Sequence, residues 1–445
     1  MFQLHDKTRR RICLTGFFLL CVVPTLGAAA WCIVRHLPWT AKVEAQSLTH
    51  QLGLEARISD LRFLRPGMVL YEGFELADPE TGQRLLRCRV IEVQWQQIAD
   101  KQGKNKTMIV LLASQPEIEI SGLHQLGGLL QRAMQRQTGR IAVDLRVSAG
   151  ELTLQSGGNS HTLTSVEANL DNLPGGVQAG VSFKLAGMDM PQPVKIRVVR
   201  NRQTVPPASG FEIHTGSGEL PCELLAAGLP ELGALGPRCR FRGYIWANQD
   251  PGGSSTGAWS GEATGQFFNV DLGPLISDNF PHKLSGAADV TIQSARFTHS
   301  RLQEANGAVV AGPGVISRSL LEAAVKHLGF RSSSDPGLLA DQVQYDQLSA
   351  ALFLDSRGLL IEGRCTSTQP GVVMIDRRLC LLSEPVNRPQ PVTALIRTLA
   401  PESSLQVPAT NQTDWLVSHL PMPDAVAPTA REATLPSAHL RLRQE

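Results

Sequence analysis

Apolar and polar positions alternate along most of this chain with a period of two. Ala56 to Phe63 places apolar residues at every second position, the pattern of a half-buried strand. Pro66-Gly67 marks a turn, Val69 to Leu76 continues as strand, Asp78 to Gly82 makes a tight connection, and Leu85 to Trp95 returns. The alternation recurs at Arg140 to Val147, with Gly150 predicted to turn it into Glu151 to Leu154. It continues at Thr162 to Leu170, Gly180 to Leu185 and Val194 to Val199. Arg238 to Trp246, Gly265 to Leu272 and Gly286 to Phe297 repeat it, and Tyr345 to Leu354 with Leu359 to Arg364 predicts a hairpin around Asp355 to Gly358. Strand after strand joined by short turns predicts a mainly β, antiparallel architecture. No exact repeat is present, so a strict solenoid is not indicated.

The period changes to that of a helix at a few places. Val43 to Leu54 predicts a short helix with Val43, Leu48 and Leu52 on its apolar side. Leu123 to Gln135 sets Leu123, Leu126, Leu130 and Met134 near one face. Leu220 to Leu235 is apolar and broken by Pro230, and Ile316 to Leu328 carries a continuous apolar stripe, with Ser317 and Ser319 as cap contributors.

No residue from Ile12 to Val34 carries a charge, and Lys7, Arg9, Arg10 and Arg11 precede the run. About 20 apolar residues cross a bilayer as a helix, and the basic cluster should stay in the cytoplasm. A cleaved signal peptide is the competing reading, with Ala28-Ala29-Ala30 as its cleavage site; continuation of the run through Trp31 to Val34 favours an uncleaved anchor. Either way the rest of the chain lies beyond a membrane. The expected organisation is a basic N-terminus (1–11), an anchor (12–34), an N-terminal β region with a helix (35–135), a middle β region (136–282), a C-terminal β region with a helix (283–400) and a Pro-rich flexible tail (401–445).

A net charge of +2 and 5% aromatic residues argue against nucleic acid as a partner. Outside the anchor and its edge, the cysteines are Cys88, Cys222, Cys239, Cys365 and Cys380. In an oxidising compartment Cys222 could pair with Cys239 and Cys365 with Cys380, but the odd Cys88 means that sequence demands neither bridge. No catalytic constellation survives its context. Gly253 to Gly257 matches GxSxG, yet Asp250-Pro251-Gly252 precedes it where a nucleophile elbow needs an apolar strand. The histidines are scattered without metal-ligand spacing, and no phosphate-binding loop occurs. The expectation is a non-enzyme without metal or cofactor.

The arrangement of an N-terminal anchor, a short helix, the strand Leu54 to Ile58, the Pro66-Gly67 turn, Leu70 to Pro79 and the returning strand Leu85 to Trp95 resembles the start of AsmA-like proteins. A second region is similar to their C-terminal part: Gly286 to Val290, Gly312 to Ser317 leading into the helix, Tyr345 to Leu348 and Leu359 to Gly363. The two regions cover under half of the chain. The resemblance implies a long, twisted β-sheet curled into a groove with an apolar lining. It also implies a periplasmic protein anchored in the inner membrane that binds membrane lipids and works in phospholipid transport or outer-membrane assembly. It transfers no catalytic residue. Inward-facing candidates for such a groove are Ile58, Val69, Phe74, Leu76, Val143, Leu145, Val290, Ile292 and Phe353. The alternative is an envelope scaffold, a protein-binding module with a closed β core that serves other envelope proteins.

Overall fold

The computed structural model describes residues 6–35, 39–99, 105–135, 143–156, 158–226, 229–249, 258–333, 335–366, 370–377, 379–400, 416 and 419–421. The predicted tail therefore lies almost wholly outside the described residues, as does the GxSxG match at 253–257.

The chain enters through α1 (Asp6–Phe17), a π-helical turn (Phe18–Val22) and α2 (Val23–Arg35). Pro24 has no N–H to give the carbonyl of Leu20, and the π turn lies just ahead of it, a usual accommodation of a helix to an interior proline. Within this helix Arg10–Ala30 has a mean hydropathy of 2.1 and none of it is buried, so it is long and apolar enough to cross a membrane. Helix α3 (Trp39–Leu52) follows. Its buried stripe is Ala41 and Ala45, continued by Leu48 and Leu52; Val43 falls off that stripe and is 52% exposed, contrary to the sequence expectation.

The strands then come in succession. They are β1 (Glu55–Arg57), β2 (Asp60–Arg65), β3 (Met68–Ala77), β4 (Arg84–Ala99), β5 (Asn105–Ser114) and β6 (Glu117–Glu119). Helix α4 (Leu123–Gln135) is followed by β7 (Val143–Ser156), β8 (Asn159–Leu173), β9 (Gly176–Leu185), β10 (Val194–Asn201), β11 (Ala208–His214) and β12 (Leu220–Pro221). After α5 (Cys222–Ala226) and a 3-10 turn (Pro230–Leu235) come β13 (Arg240–Gln249), β14 (Trp259–Asp271), β15 (Ala287–Thr298), β16 (Arg301–Ala311) and β17 (Gly314–Ser317). Helix α6 (Arg318–Leu328), β18 (Gln342–Tyr345), β19 (Gln347–Asp355), β20 (Gly358–Gly363), β21 (Val372–Asp376), β22 (Leu379–Ser383) and α7 (Val392–Leu399) complete the described order.

Among the described residues all strands but β17 and β18 belong to one 20-stranded sheet. β1 and β2 both pair with β3, which pairs with β4, and β4 pairs with β5 and β6. From β7 the order is β8, β9, β10, β11, β13, β14, β15, β16 and β19. β20 and β21 pair with β19, and β22 closes on β21. The pairing crosses positions 135/136 and 282/283 without a break.

The antiparallel expectation needs one correction. β5 and β6 pair with β7 in parallel, because α4 carries the chain back over the sheet before β7 starts. Two predicted boundaries also differ. Ala56 to Phe63 is interrupted at Ile58-Ser59, giving β1 and β2 on different stretches of β3. Gly150 is not a turn: β7 runs through it, opposite Ser165, whose positive φ of 52° marks a bulge in β8. Ser317 caps α6 by accepting the N–H of Leu320. Its partner helix α7 and the strands β5, β11, β16, β21 and β22 are not among the expected elements, although Val392, Leu395, Ile396 and Leu399 of α7 stand at helical spacing.

The C-terminal strands and α5, α6 and α7 share one core, in which Leu225, Leu321 and Val392 join Phe241, Leu354 and Ile361. Two polar devices hold its end together. Cys222 and Cys239 form a disulfide with their Cα atoms 5.4 Å apart. The predicted partner pair is not formed: Cys365 and Cys380 are free, with the Cys365 thiol donating to Val373 O at 3.0 Å and Cys380 Sγ meeting Ser383 Oγ at 3.0 Å. Elsewhere His282, 3% exposed, bridges both helices: Nε2 donates to Thr398 O at 2.9 Å and Nδ1 faces Ser319 Oγ at 3.0 Å. A carbonyl can only accept, so the ring proton sits on Nε2 and Nδ1 accepts from the serine hydroxyl.

Replacing both Cys222 and Cys239 by serine is expected to cost about 2–4 kcal/mol, read as a lower urea midpoint; a midpoint that reductant leaves unchanged in the parent protein would contradict this. Burial holds the His282 imidazole below its ordinary value of 6.5, against the smaller opposing effect of Thr398. The unfolded chain therefore takes up this proton first, so the stability tied to neutral His282 is complete above about 6.5 and is lost as pH falls below it. The midpoint should drop on acidification, and more steeply in the parent than in His282→Gln. Equal slopes would rule the histidine out as the cause.

Candidate functional site

Directly paired residues in adjacent strands share a face of the sheet. Following the register across the molecule therefore traces which side chains line up. Phe63 pairs with Val69, then Val93, Leu111 and Val147. The row continues through Ala168, Val181, Ile196, Ile213 and Ile245. It ends through Ala263, Ala295, Ala305, Leu354 and Leu359. Every residue from β2 to β20 in this row is apolar. A second row beside it reads Trp95, Ile109, Leu145, Leu170, Ala179, Val198, Phe211, Ala247, Gly261, Phe297 and Leu302.

The position between these rows lies on the other face and is mostly charged or polar: Arg146, Asn169, Gly180, Arg197, Glu212, Trp246, Glu262, Arg296 and Glu304. Its charges pair along and across strands, as in Arg146 with Asp171 at 2.7 Å and Arg296 with Glu304 at 3.7 Å. The sheet thus separates a continuous apolar face from a polar one.

Helices cover the apolar face unequally. At the N-terminal end, α3 and α4 pack against Leu54, Phe74, Leu76 and Leu85. Helix α4 then passes over the middle strands, and Met134 near its end packs on Val177 and Ala179. Arg132 of α4 donates to Leu52 O at 3.1 Å, the last residue of α3, and Arg202 donates to Met134 O at 2.9 Å. Both bonds hold the C-terminal end of the helix; near its start Gln125 Nε2 donates to the Asp78 carboxylate at 3.0 Å. Between α4 and the sheet lies a cavity of about 390 Å³. Leu129, Leu130 and Ala133 form one wall; Leu145, Val147, Ala168, Leu170, Ala179, Val181, Ile196 and Val198 from both apolar rows form the other. Gln51, Arg132 and Asn169 are the polar residues in the lining. The volume lies in the range of about 300–1,000 Å³ typical of sites for small ligands.

Farther along, the face fills itself. Gly243 pairs with Gly265, and a Cβ at Gly243 would lie 2.8 Å from the ring of Phe241. Only a strand without a side chain there leaves room for Phe241, whose ring packs 4.7 Å from that of Phe267. From this point the residues of the apolar face belong to the core that includes α5, α6 and α7.

Of the residues expected to face a groove, Leu145 alone lines the cavity. Val143 lies two residues before it on the same face of β7. Val69 belongs to the first apolar row, in a core with Ala41, Leu61, Tyr71 and Val93. Phe74 and Leu76 are in the core under α3 and α4, and Ile58 packs against both of these N-terminal cores. Val290 and Ile292 pack against the C-terminal core. Phe353 is a correction: it lies between Leu352 and Leu354, which pack in that core, so strand alternation puts it on the opposite face. The lining residues Leu170, Ala179, Val181, Ile196 and Val198 sit in strands whose alternation is visible in the sequence, but register alone brings them under α4.

Reactive arrangements fare differently. The Ser156 hydroxyl donates to Glu223, and His161 Nε2 lies 3.5 Å from the other oxygen of that carboxylate. The carboxylate stands between hydroxyl and imidazole, so no base faces the serine, and the trio fastens α5 to the β7–β8 hairpin. Among the described residues no group of three or more His, Cys, Asp or Glu is placed to hold a metal ion. No protein-family model matches the chain, and no curated protein matches it.

Proposed function

We propose that the chain is a single-pass membrane protein whose extracytoplasmic sheet forms a twisted, elongated groove that holds phospholipid acyl chains. In this reading it contributes, without catalysis, to phospholipid transport or assembly of an outer membrane. The observation that carries the reading is the uninterrupted apolar row from Phe63 to Leu359 opening into the cavity beneath α4. An acyl chain needs a long apolar surface and no reactive side chain, and this sheet supplies one face of that kind with its polar groups kept to the other. At about 4.8 Å per strand the row extends on the order of 70 Å. The exposed apolar helix Arg10–Ala30 supports the anchor, with the basic residues before it on the cytoplasmic side. The Cys222–Cys239 disulfide fits an oxidising compartment for the rest of the chain.

A second reading, an envelope scaffold that binds other proteins, is favoured by the C-terminal stretch, where α5, α6 and α7 fill the core. Organic extraction of the purified full-length protein followed by lipid mass spectrometry separates the two. The groove reading expects near-stoichiometric phospholipid above detergent-matched controls, and loss of that lipid in Ala168→Phe, which fills the cavity from its floor. A folded parent protein carrying no more lipid than the controls, or equal lipid in the variant, would shift the assignment to the scaffold. A companion substitution, Val181→Asp, should reduce bound lipid by at least about tenfold if the buried carboxylate costs 1.4 kcal/mol or more of binding.

A further inference from the structure

Four large apolar side chains are left in solvent at the end of the molecule where the apolar N-terminal helix joins it. Trp39 is 57% exposed and Val43 52%, one turn apart on the same side of α3. Leu64, at the tip of the β2–β3 hairpin, is 54% exposed, and Trp95 is 42% exposed. The core beneath brings them to one end. Ala41, in the first turn of α3, packs with Leu61, Val69 and Val93. Leu64 follows Leu61 in the same strand toward the hairpin tip, and Trp95 is the next residue after Val93 to point to that face of β4. The Trp95 backbone N–H donates to Gly67 O at 2.9 Å, fastening β4 to the hairpin turn. Lys42 on α3 and Arg65 at the hairpin tip are exposed beside them.

We infer that this end is a seat on the phospholipid surface of the membrane that the N-terminal helix crosses, with Trp39, Val43, Leu64 and Trp95 at headgroup depth. The inference rests on the anchored reading proposed above, and it adds a second contact with the bilayer. Covalent continuity selects the occupant. Trp39 opens the first helix after the apolar segment, so a bilayer around that segment stands within a few residues of the patch. Tryptophan is suited to the headgroup region, where its ring is apolar and its N–H polar. Lys42 and Arg65 complement anionic lipid, each contributing about 1 kcal/mol near such a surface. The Glu44 carboxylate on the same helix is turned toward the Tyr71 hydroxyl, which donates to it at 3.3 Å, and so does not oppose that charge from the patch. The seat also has a consequence for the groove: α3 begins at the bilayer and ends at Gln51 and Leu52 in the lining of the cavity. The same short helix thus leads from lipid surface to apolar cavity.

The test uses the full-length protein in vesicles of phosphatidylcholine and phosphatidylglycerol, with and without bromine on the acyl chains, and reads tryptophan emission. Bromine near the carboxyl end of the acyl chains quenches tryptophans seated at the headgroup boundary or deeper, and leaves those held in water or inside the protein. The parent protein should lose part of its emission to bromolipid. Trp39→Phe and Trp95→Phe should each remove a share of that quenchable component, whereas Trp246→Phe, on the charged face of the sheet, should leave it intact. Exposure of both indoles makes these substitutions safe for folding. A quenchable component unchanged in both Trp39→Phe and Trp95→Phe overturns the seat while leaving the anchor and the groove standing. A protein that floats free of the vesicles overturns the seat and the anchor together, and the lipid extraction described above still reports on the groove by itself.

Discussion

Strand register is the constraint on which the rest of this molecule depends. Backbone hydrogen bonds fix which residue stands opposite which, and because side chains alternate with a period of two, a slip of one position would move a whole strand's apolar set to the other face. The row from Phe63 to Leu359 survives several register shifts, at β14–β15 and β15–β16 among them. Each bulge that displaces a residue there leaves apolar residues facing one another beyond it. The charged row on the reverse face enforces the same register from the other side. A slip would set Arg197 beneath α4 and Glu212 in the core, and bring Ile196 and Ile213 to the other face.

The parallel step lays a helix over the sheet and gives it the apolar cavity beneath α4. In a pure meander each strand would return directly beside the last, and nothing would lie over the apolar face. Here the chain leaves β6, crosses as α4 and re-enters as β7, so a helix is laid over the following strands. Its C-terminal end is fixed by arginine to carbonyl bonds, Arg132 to Leu52 and Arg202 to Met134, and its start by Gln125 to Asp78. Because the helix spans the face at a distance set by Leu129, Leu130 and Met134, it packs tightly at Met134 and leaves space beside Leu130. The cavity is a consequence of the crossover rather than of any special lining chemistry.

The two halves of the apolar face are finished differently, and this sets the functional argument. Past the Gly243–Gly265 pair, aromatic rings and the C-terminal helices occupy the interior, and His282, the Cys222–Cys239 bridge and the Ser317 cap hold those pieces in place. Before it, small residues such as Ala168 and Ala179 keep the floor under α4 low. The proposed lipid-holding role rests on the earlier half, where the apolar cavity lies, while the later half is closed by its own core. One sheet carries both halves because its apolar rows run through the junction unbroken.

The sequence by itself determined the local features. Alternation located most of the long strands but not β5 or β16, helical spacing placed α4 to the residue and α6 within two, and the uncharged run after a basic cluster marked the apolar N-terminal helix. These are properties of a chain segment read alone, and they hold whatever the segment later meets. Tertiary structure decided what depends on partners. Alternation says that Leu352, Phe353 and Leu354 change sides, but only pairing with β16 and packing on the core tell which side is inner, so Phe353 could be nominated for the wrong face. Val43 looked apolar enough to be buried until the spacing of Ala41, Ala45, Leu48 and Leu52 showed which stripe α3 presents. The parallel step, the free state of Cys365 and Cys380, and the meeting of Leu145, Ala179 and Ile196 under α4 likewise join residues far apart in sequence. No periodicity within one strand carries the register between strands, and the cavity exists only in that register.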